Sequence, residues 1–206
     1  MAALLSLSVC SETQSQWLQT NGPYGAFIYA LAFSDDGASL FAGTSGGGVY
    51  RSTNNGTDWT PVNSGLAANE TVFSLAVNGA NLFAGTWEGV FRSTDNGARW
   101  EAVNGGLAIN SIVYCFAVLP DGNGGTQLLA GTYNGVYRFT HSGLSWASAS
   151  AGLPTEPFVH FLGVSDTNLF AGTYRGLFRS TDAGISWEVV NTGLPPNAVC
   201  RVDRTG

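Results

Sequence analysis

Two aspartates pose the first chemical question. Asp95 and Asp182 stand in nearly the same octapeptide, Ser93-Thr94-Asp95-Asn96-Gly97-Ala98-Arg99-Trp100 and Ser180-Thr181-Asp182-Ala183-Gly184-Ile185-Ser186-Trp187. Each carboxylate could be a catalytic group, a calcium ligand or a turn former. A residue that recurs in copy after copy of a unit serves the unit rather than one site, so the turn reading is preferred. A short Asp side chain accepts hydrogen bonds from backbone N–H groups two residues on. Glycine supplies the positive φ of the turn, and the tryptophan anchors the hairpin in a core. Ser93, Asp95, Gly97 and Trp100, with Ser180, Asp182, Gly184 and Trp187, are therefore read as structural.

The remaining reactive groups do not assemble into a centre. Glycoside hydrolysis needs two carboxyl groups at a set separation. Glu70, Glu88 and Glu156 could be paired in any combination, so none is specific. His141 and His160 lack zinc-ligand spacing. His160 lies in a column of rings with Tyr29, Phe73 and Tyr114 and is expected to line a core or channel. Of the three cysteines, Cys115 reads as a small apolar core residue, and a bridge from it to Cys200 is not expected; Cys10 lies in the leader. No phosphate loop, nucleotide fingerprint or nucleophile elbow occurs. We expect no catalytic residue, no metal and no cofactor. The net charge of −6, with no lysine at all, offers no basic footing for nucleic acid.

Repetition organises the chain. Four segments align, ending at Trp59, Trp100, Trp146 and Trp187, spaced 41, 46 and 41 residues apart. The longer interval holds a longer loop, PDGNGGTQ. Each copy reads as four short strands: an apolar run (IYALAFS, VFSLAV, VYCFAV, VHFLGV), LFAGT or its equivalent, GVYRS or its equivalent, and a strand beginning at the tryptophan. β-Branched and aromatic residues fill the strands, and Gly, Asn and Asp clusters separate them. A four-stranded unit of this length cannot bury both its faces alone, whereas stacking neighbours about an axis does so. The expected fold is all-β, a β-propeller of four-stranded antiparallel blades, at about 27–61, 71–104, 112–149 and 157–190.

The hairpin sequences resemble the Asp-box (BNR-like) pattern S-x-D-x-G-x-x-W of sialidase-type, sortilin-type and photosystem-assembly-factor-like propellers. Two copies match it fully. Ser52 to Trp59 has Asn54 at the aspartate position, and Phe139 to Trp146 has Phe139 and His141 at the serine and aspartate positions. The resemblance implies a propeller over 15–206. It does not bring sialidase chemistry with it. Four of the eight arginines (Arg51, Arg92, Arg138, Arg179) hold one equivalent repeat position and are not expected to converge on a substrate.

Variation between copies points to a ligand face. After each AGT comes a short turn: Ser45-Gly46-Gly47, Trp87-Glu88, Tyr133-Asn134 and Tyr174-Arg175. Five tryptophans hold the scaffold column, and Trp87 does not. Trp87, Tyr133 and Tyr174, beside Glu88, Asn134 and Arg175, are expected to form an arc that stacks on and hydrogen-bonds a glycan or protein ligand. The rival expectation is that the rings merely cap the blades. The functional expectation is a non-catalytic binding module, with a glycoside hydrolase fragment or an architectural repeat protein as alternatives.

Both ends carry partial repeats. Trp17 to about Asn21 resembles a fourth strand, and Val199–Asp203 resembles a first strand with one residue deleted. We expect either a fragment of a larger propeller or a chain completed by a partner through open strand edges. Residues 1–14 resemble a short or truncated secretory leader, so an extracellular or cell-surface location is expected, with no membrane-spanning segment.

Overall fold

The computed structural model describes residue 22 and residues 27–121, 125–140 and 144–195. The leader, Trp17–Asn21, Cys10, His141, Cys200 and Val199–Asp203 lie outside the described residues.

Four antiparallel sheets, each of four consecutive strands, stand side by side. The first holds β1 (Ile28–Phe33), β2 (Leu40–Thr44), β3 (Gly48–Ser52) and β4 (Thr60–Pro61); the second β5 (Val72–Asn78), β6 (Asn81–Thr86), β7 (Gly89–Ser93) and β8 (Glu101–Ala102). The third holds β9 (Val113–Pro120), β10 (Thr126–Thr132), β11 (Gly135–Thr140) and β12 (Ser145–Ser148); the fourth β13 (Val159–Ser165), β14 (Asn168–Thr173), β15 (Gly176–Ser180) and β16 (Glu188–Val189). The first strands neighbour one another in the order β1, β5, β9, β13. The fold is thus a β-propeller arrangement of blades, as the repeat implies. In three blades the fourth strand begins one residue after the tryptophan rather than on it.

Three hydrophobic clusters fill the three junctions between blades, one each. Their membership defines two faces of every blade. The leading face, toward the preceding blade, carries Val72, Leu75 and Val77 of β5, with Trp100. The trailing face carries Ala76, Phe83 and Val90, which meet the next blade's Val113, Leu128 and Trp146. Alternation along each strand therefore sorts side chains between two neighbours, not between core and water.

Each junction is also hydrogen-bonded. The indole Nε1–H of Trp100 donates to the Val62 carbonyl at 2.8 Å, that of Trp146 to Val103 at 2.8 Å, and that of Trp187 to Ala149 at 2.8 Å. The backbone N–H groups of the same tryptophans donate to Ser64, Gly105 and Ala151 of the preceding blade. The approach is so close that glycine is required where the backbones meet. A Cβ on Gly65, Gly106 or Gly152 would lie 2.1, 2.0 or 2.1 Å from the carbonyl oxygen of Trp100, Trp146 or Trp187.

In the octapeptide turns the serine and aspartate side chains bond to main-chain N–H groups four residues on. Asp95 Oδ1 accepts the N–H of Arg99, four residues on rather than two, at 2.9 Å. Ser93 Oγ accepts the N–H of Gly97 at 2.8 Å and donates to Asp95 Oδ1 at 2.8 Å. Asp182 and Ser180 repeat these bonds, and Asn54 with Ser52 reproduces them without the charge. Asn96 and Ala183 take positive φ beside Gly97 and Gly184. Hydrogen bonds from Ser186 and Ser180 hold the Asp182 carboxyl at about 2, well below the carboxylate range. In the third blade, where Phe139 replaces the serine, the pairing of β11 with β12 continues to Thr140↔Ser145, and Phe139 is buried against Phe83 and Trp146.

Candidate functional site

The turn after each second strand is held from below, so its tip residues are free to vary. The buried Thr86 hydroxyl donates to the Gly89 carbonyl and accepts the Glu88 N–H at 3.0 Å; Thr132 and Thr173 do the same for Gly135 with Asn134 and for Gly176 with Arg175. A second clamp comes from the fourth residue after each tryptophan. Asn104 Oδ1 accepts the Val90 N–H at 2.7 Å while its Nδ2 donates to the Glu88 carbonyl at 3.0 Å. Asn63 and Asn191 accept the corresponding N–H of Val49 and Leu177, and Ser150 that of Val136. The asparagines were visible as Val-Asn-Ser, Val-Asn-Gly and Val-Asn-Thr after three of the tryptophans, a repeated signal that the sequence reading passed over.

On these turns Trp87 and Tyr174 are half-exposed, Glu88 and Arg175 are exposed, and Tyr133 and Asn134 are partly covered. Asn134 Nδ2 donates to Ser111 Oγ at 3.1 Å, so part of its hydrogen-bonding capacity is already used. The three rings are joined through residues beneath them. Trp87 meets Phe73 edge-on with centroids 5.0 Å apart. Phe73 contacts Tyr29 at 5.6 Å and Tyr114 at 5.8 Å, and Tyr114 contacts His160 at 4.7 Å. His160 lies 5.5 Å from Tyr174. Phe158 stands between Tyr133, at 4.0 Å, and Tyr174, at 5.1 Å. The array is therefore two-tiered: the expected outer rings over the ring column of the first strands. Phe158, in a left-handed backbone conformation at φ 49°, was not foreseen, because it precedes its strand and is matched by an aromatic residue, Phe27, in only one other copy.

The ionisable groups at this face have unequal roles. Glu70 is buried. Burial, and then the neighbouring Glu88 charge, push its carboxyl above the ordinary value, partly offset by the N–H groups of Thr71 and Trp87 and the Thr86 hydroxyl. A cleft of about 220 Å³ opens beside Glu88, lined by Asn104, Leu107, Ile109, Asn110 and Ser111. A larger cleft of about 320 Å³ lies at the first-to-second-strand turns of blades one and two, beside Asp35, Asp36 and Asn81 and away from the rings. No cluster of metal-ligating side chains occurs among the described residues. The repeated arginines do not converge: Arg92 lies 4.0 Å from Glu101 and Arg179 pairs with Glu188, each across its own third and fourth strands.

His160 is the least settled member of the array. Its Nε2 is buried without a hydrogen-bond partner, and burial lowers its pKa below the usual 6.5. Because burial disfavours the charged ring, its contribution to stability is present above pH 6.5 and lost as the pH falls through the depressed folded value. His160→Phe, which matches Phe73 in the same column, is expected to raise stability by about 1 kcal/mol. It should also flatten the decline in melting temperature between about pH 7 and pH 5. Thermal melts at the two pH values check this; an unchanged slope would refute it.

No protein-family model matches the chain, and no curated protein matches its sequence. Solved structures do match. The extracellular domain assigned to a one-component system of B. thetaiotaomicron superposes with a TM-score of 0.67 at 18% identity, over 84% of this chain and 23% of that one. The GH74 xyloglucanase of Xanthomonas campestris gives 0.60 at 20% identity, over 77% of this chain and 29% of that one. YCF48 of Cyanidioschyzon merolae gives 0.62 at 16% identity, over 84% and 59%. The chain spans only part of the length of each. At these identities the likeness concerns the fold alone, a β-propeller repeat arrangement of four-stranded antiparallel blades.

Proposed function

We propose that the chain is a non-catalytic, exported binding module whose ligand, a carbohydrate or an extended protein segment, lies across the face that carries the second-to-third-strand turns. The observation behind this reading is the continuous two-tiered ring array, with Trp87 and Tyr174 half-exposed and flanked by Glu88 and Arg175. An aromatic ring offers a flat apolar surface to the C–H face of a sugar or to a peptide side chain. Adjacent charges and amides then fix the orientation by hydrogen bonds. Rings that pack on other rings are pre-organised, which lowers the entropy cost of binding. The extracellular nature of one structural neighbour supports export.

The test is binding to a panel of soluble glycans and peptides. Trp87→Ala with Tyr174→Ala is expected to weaken any binding found by at least about 100-fold, roughly 3 kcal/mol, while leaving the melting temperature nearly unchanged. Unchanged binding in the double variant would end the proposal.

A second reading, a glycoside hydrolase fragment, draws on the raised pKa of Glu70 beside Glu88. It predicts turnover of a chromogenic glycoside that Glu70→Gln abolishes.

A further inference from the structure

Among the described residues, the first and fourth blades carry the two unfilled halves of one junction. At each of the three observed junctions a first-strand β-branched residue inserts over a second-strand glycine of the preceding blade: Val72 over Gly43, Val113 over Gly85, Val159 over Gly131. Gly172, the fourth such glycine, meets only Phe161 of its own blade among the described residues. Gly65, Gly106 and Gly152 are each pressed by the backbone of the next tryptophan. Gly193 keeps the same left-handed conformation, φ 85°, with no described atom within 4 Å of its would-be Cβ. The carbonyls of Val190 and Thr192 occupy the positions where Val62, Val103 and Ala149, and Ser64, Gly105 and Ala151, accept tryptophan N–H groups. Blade four is thus built to receive another tryptophan-bearing blade.

Blade one supplies the matching half. Ile28 stands at the position of Val72, Val113 and Val159, and Leu31 and Phe33 of the same leading face are 60% and 66% exposed. Trp59 is only half-buried, and its indole donates to Gly56 within its own turn, whereas its three counterparts are buried and bond across a junction. On the trailing face of blade four Phe161 is 55% exposed, where Ser74 and Cys115 sit between blades. Terminal repeats that face water carry polar outer surfaces; these two carry apolar ones.

We infer that a second copy of this chain docks head-to-tail, the leading face of its first blade against the trailing face of the fourth. Both halves of the contact are present in one sequence, and the contact continues a junction already made three times. Such an interface is heterologous, so its two faces can be disabled separately.

The experiment is sedimentation velocity on the whole 206-residue chain across about a hundredfold range of concentration, since association follows mass action. The expected result is mass that rises with concentration. Phe161→Asp and Leu31→Asp, both at exposed positions, should each give folded monomers by circular dichroism. Mixing the two variants should restore a one-to-one dimer, because each retains the face the other has lost. A wild type that stays monomeric throughout the range would overturn the inference and assign the faces to other occupants. So would a mixture that fails to pair, or single variants that assemble like the wild type.

Discussion

Gly106→Ala is expected to destabilise the protein by about 3 to 5 kcal/mol, a fall of roughly 10 °C in melting temperature. Two penalties combine. The residue sits at φ 85°, where a Cβ is strained, and that Cβ would lie 2.0 Å from the Trp146 carbonyl oxygen. The oxygen belongs to backbone, so relief requires moving the outer strand of blade three away from blade two. That motion would loosen the Trp146 indole bond to Val103. Gly193→Ala separates the two penalties. It has the same φ 85° and no described neighbour within 4 Å, so it should cost only about 1 kcal/mol at concentrations too low for copies to associate. Urea or thermal melts compare the pair. Equal losses would show that close approach of blades contributes nothing and that conformation alone demands glycine.

The second large effect is expected at Trp100. It is 2% exposed, part of the cluster between blades one and two, and its Nε1–H is the donor to Val62. Trp100→Ala removes the ring and orphans a carbonyl at a junction, at a cost of about 3 to 5 kcal/mol. Trp100→Phe keeps most of the apolar contact and should lose only about 1 to 2 kcal/mol. Trp59→Ala should cost clearly less than Trp100→Ala, because Trp59 is half-covered and bonds within its own turn. Denaturant titrations of the three variants give the ranking; a Trp59 loss as large as that of Trp100 would contradict it.

Much of this architecture was readable because the repeat multiplies weak signals. One LFAGT is a short apolar run, but three in phase with one LLAGT, each followed by a glycine turn and a tryptophan, leave few alternatives to stacked four-stranded units. Comparison between copies also separated Trp87, Tyr133 and Tyr174 from the scaffold tryptophans, and the structure brings these three into one array. What escaped was whatever lacks periodicity or spans copies. Phe158 is matched in its column by Phe27 alone, with Thr71 and Ile112 in the middle copies, and its left-handed conformation is not encoded by that position. The burial of Glu70 is a tertiary outcome that sequence spacing does not encode. The reach of Asp95 to the N–H of Arg99, four residues on, reflects a wider turn than a two-residue Asx bond, which the octapeptide alone does not distinguish.

The clamps beneath the second-to-third-strand turns have an evolutionary corollary. Thr86 and Asn104 hold the Trp87–Glu88 tip through its main chain, and neither grips the indole or the Glu88 carboxyl. The same main-chain support recurs under Tyr133–Asn134 and Tyr174–Arg175. Tip side chains can therefore be exchanged one position at a time with little cost to folding, so selection can rewrite recognition while the chassis stays intact. A lineage of such arrays would diversify in what it captures faster than in how it is constructed.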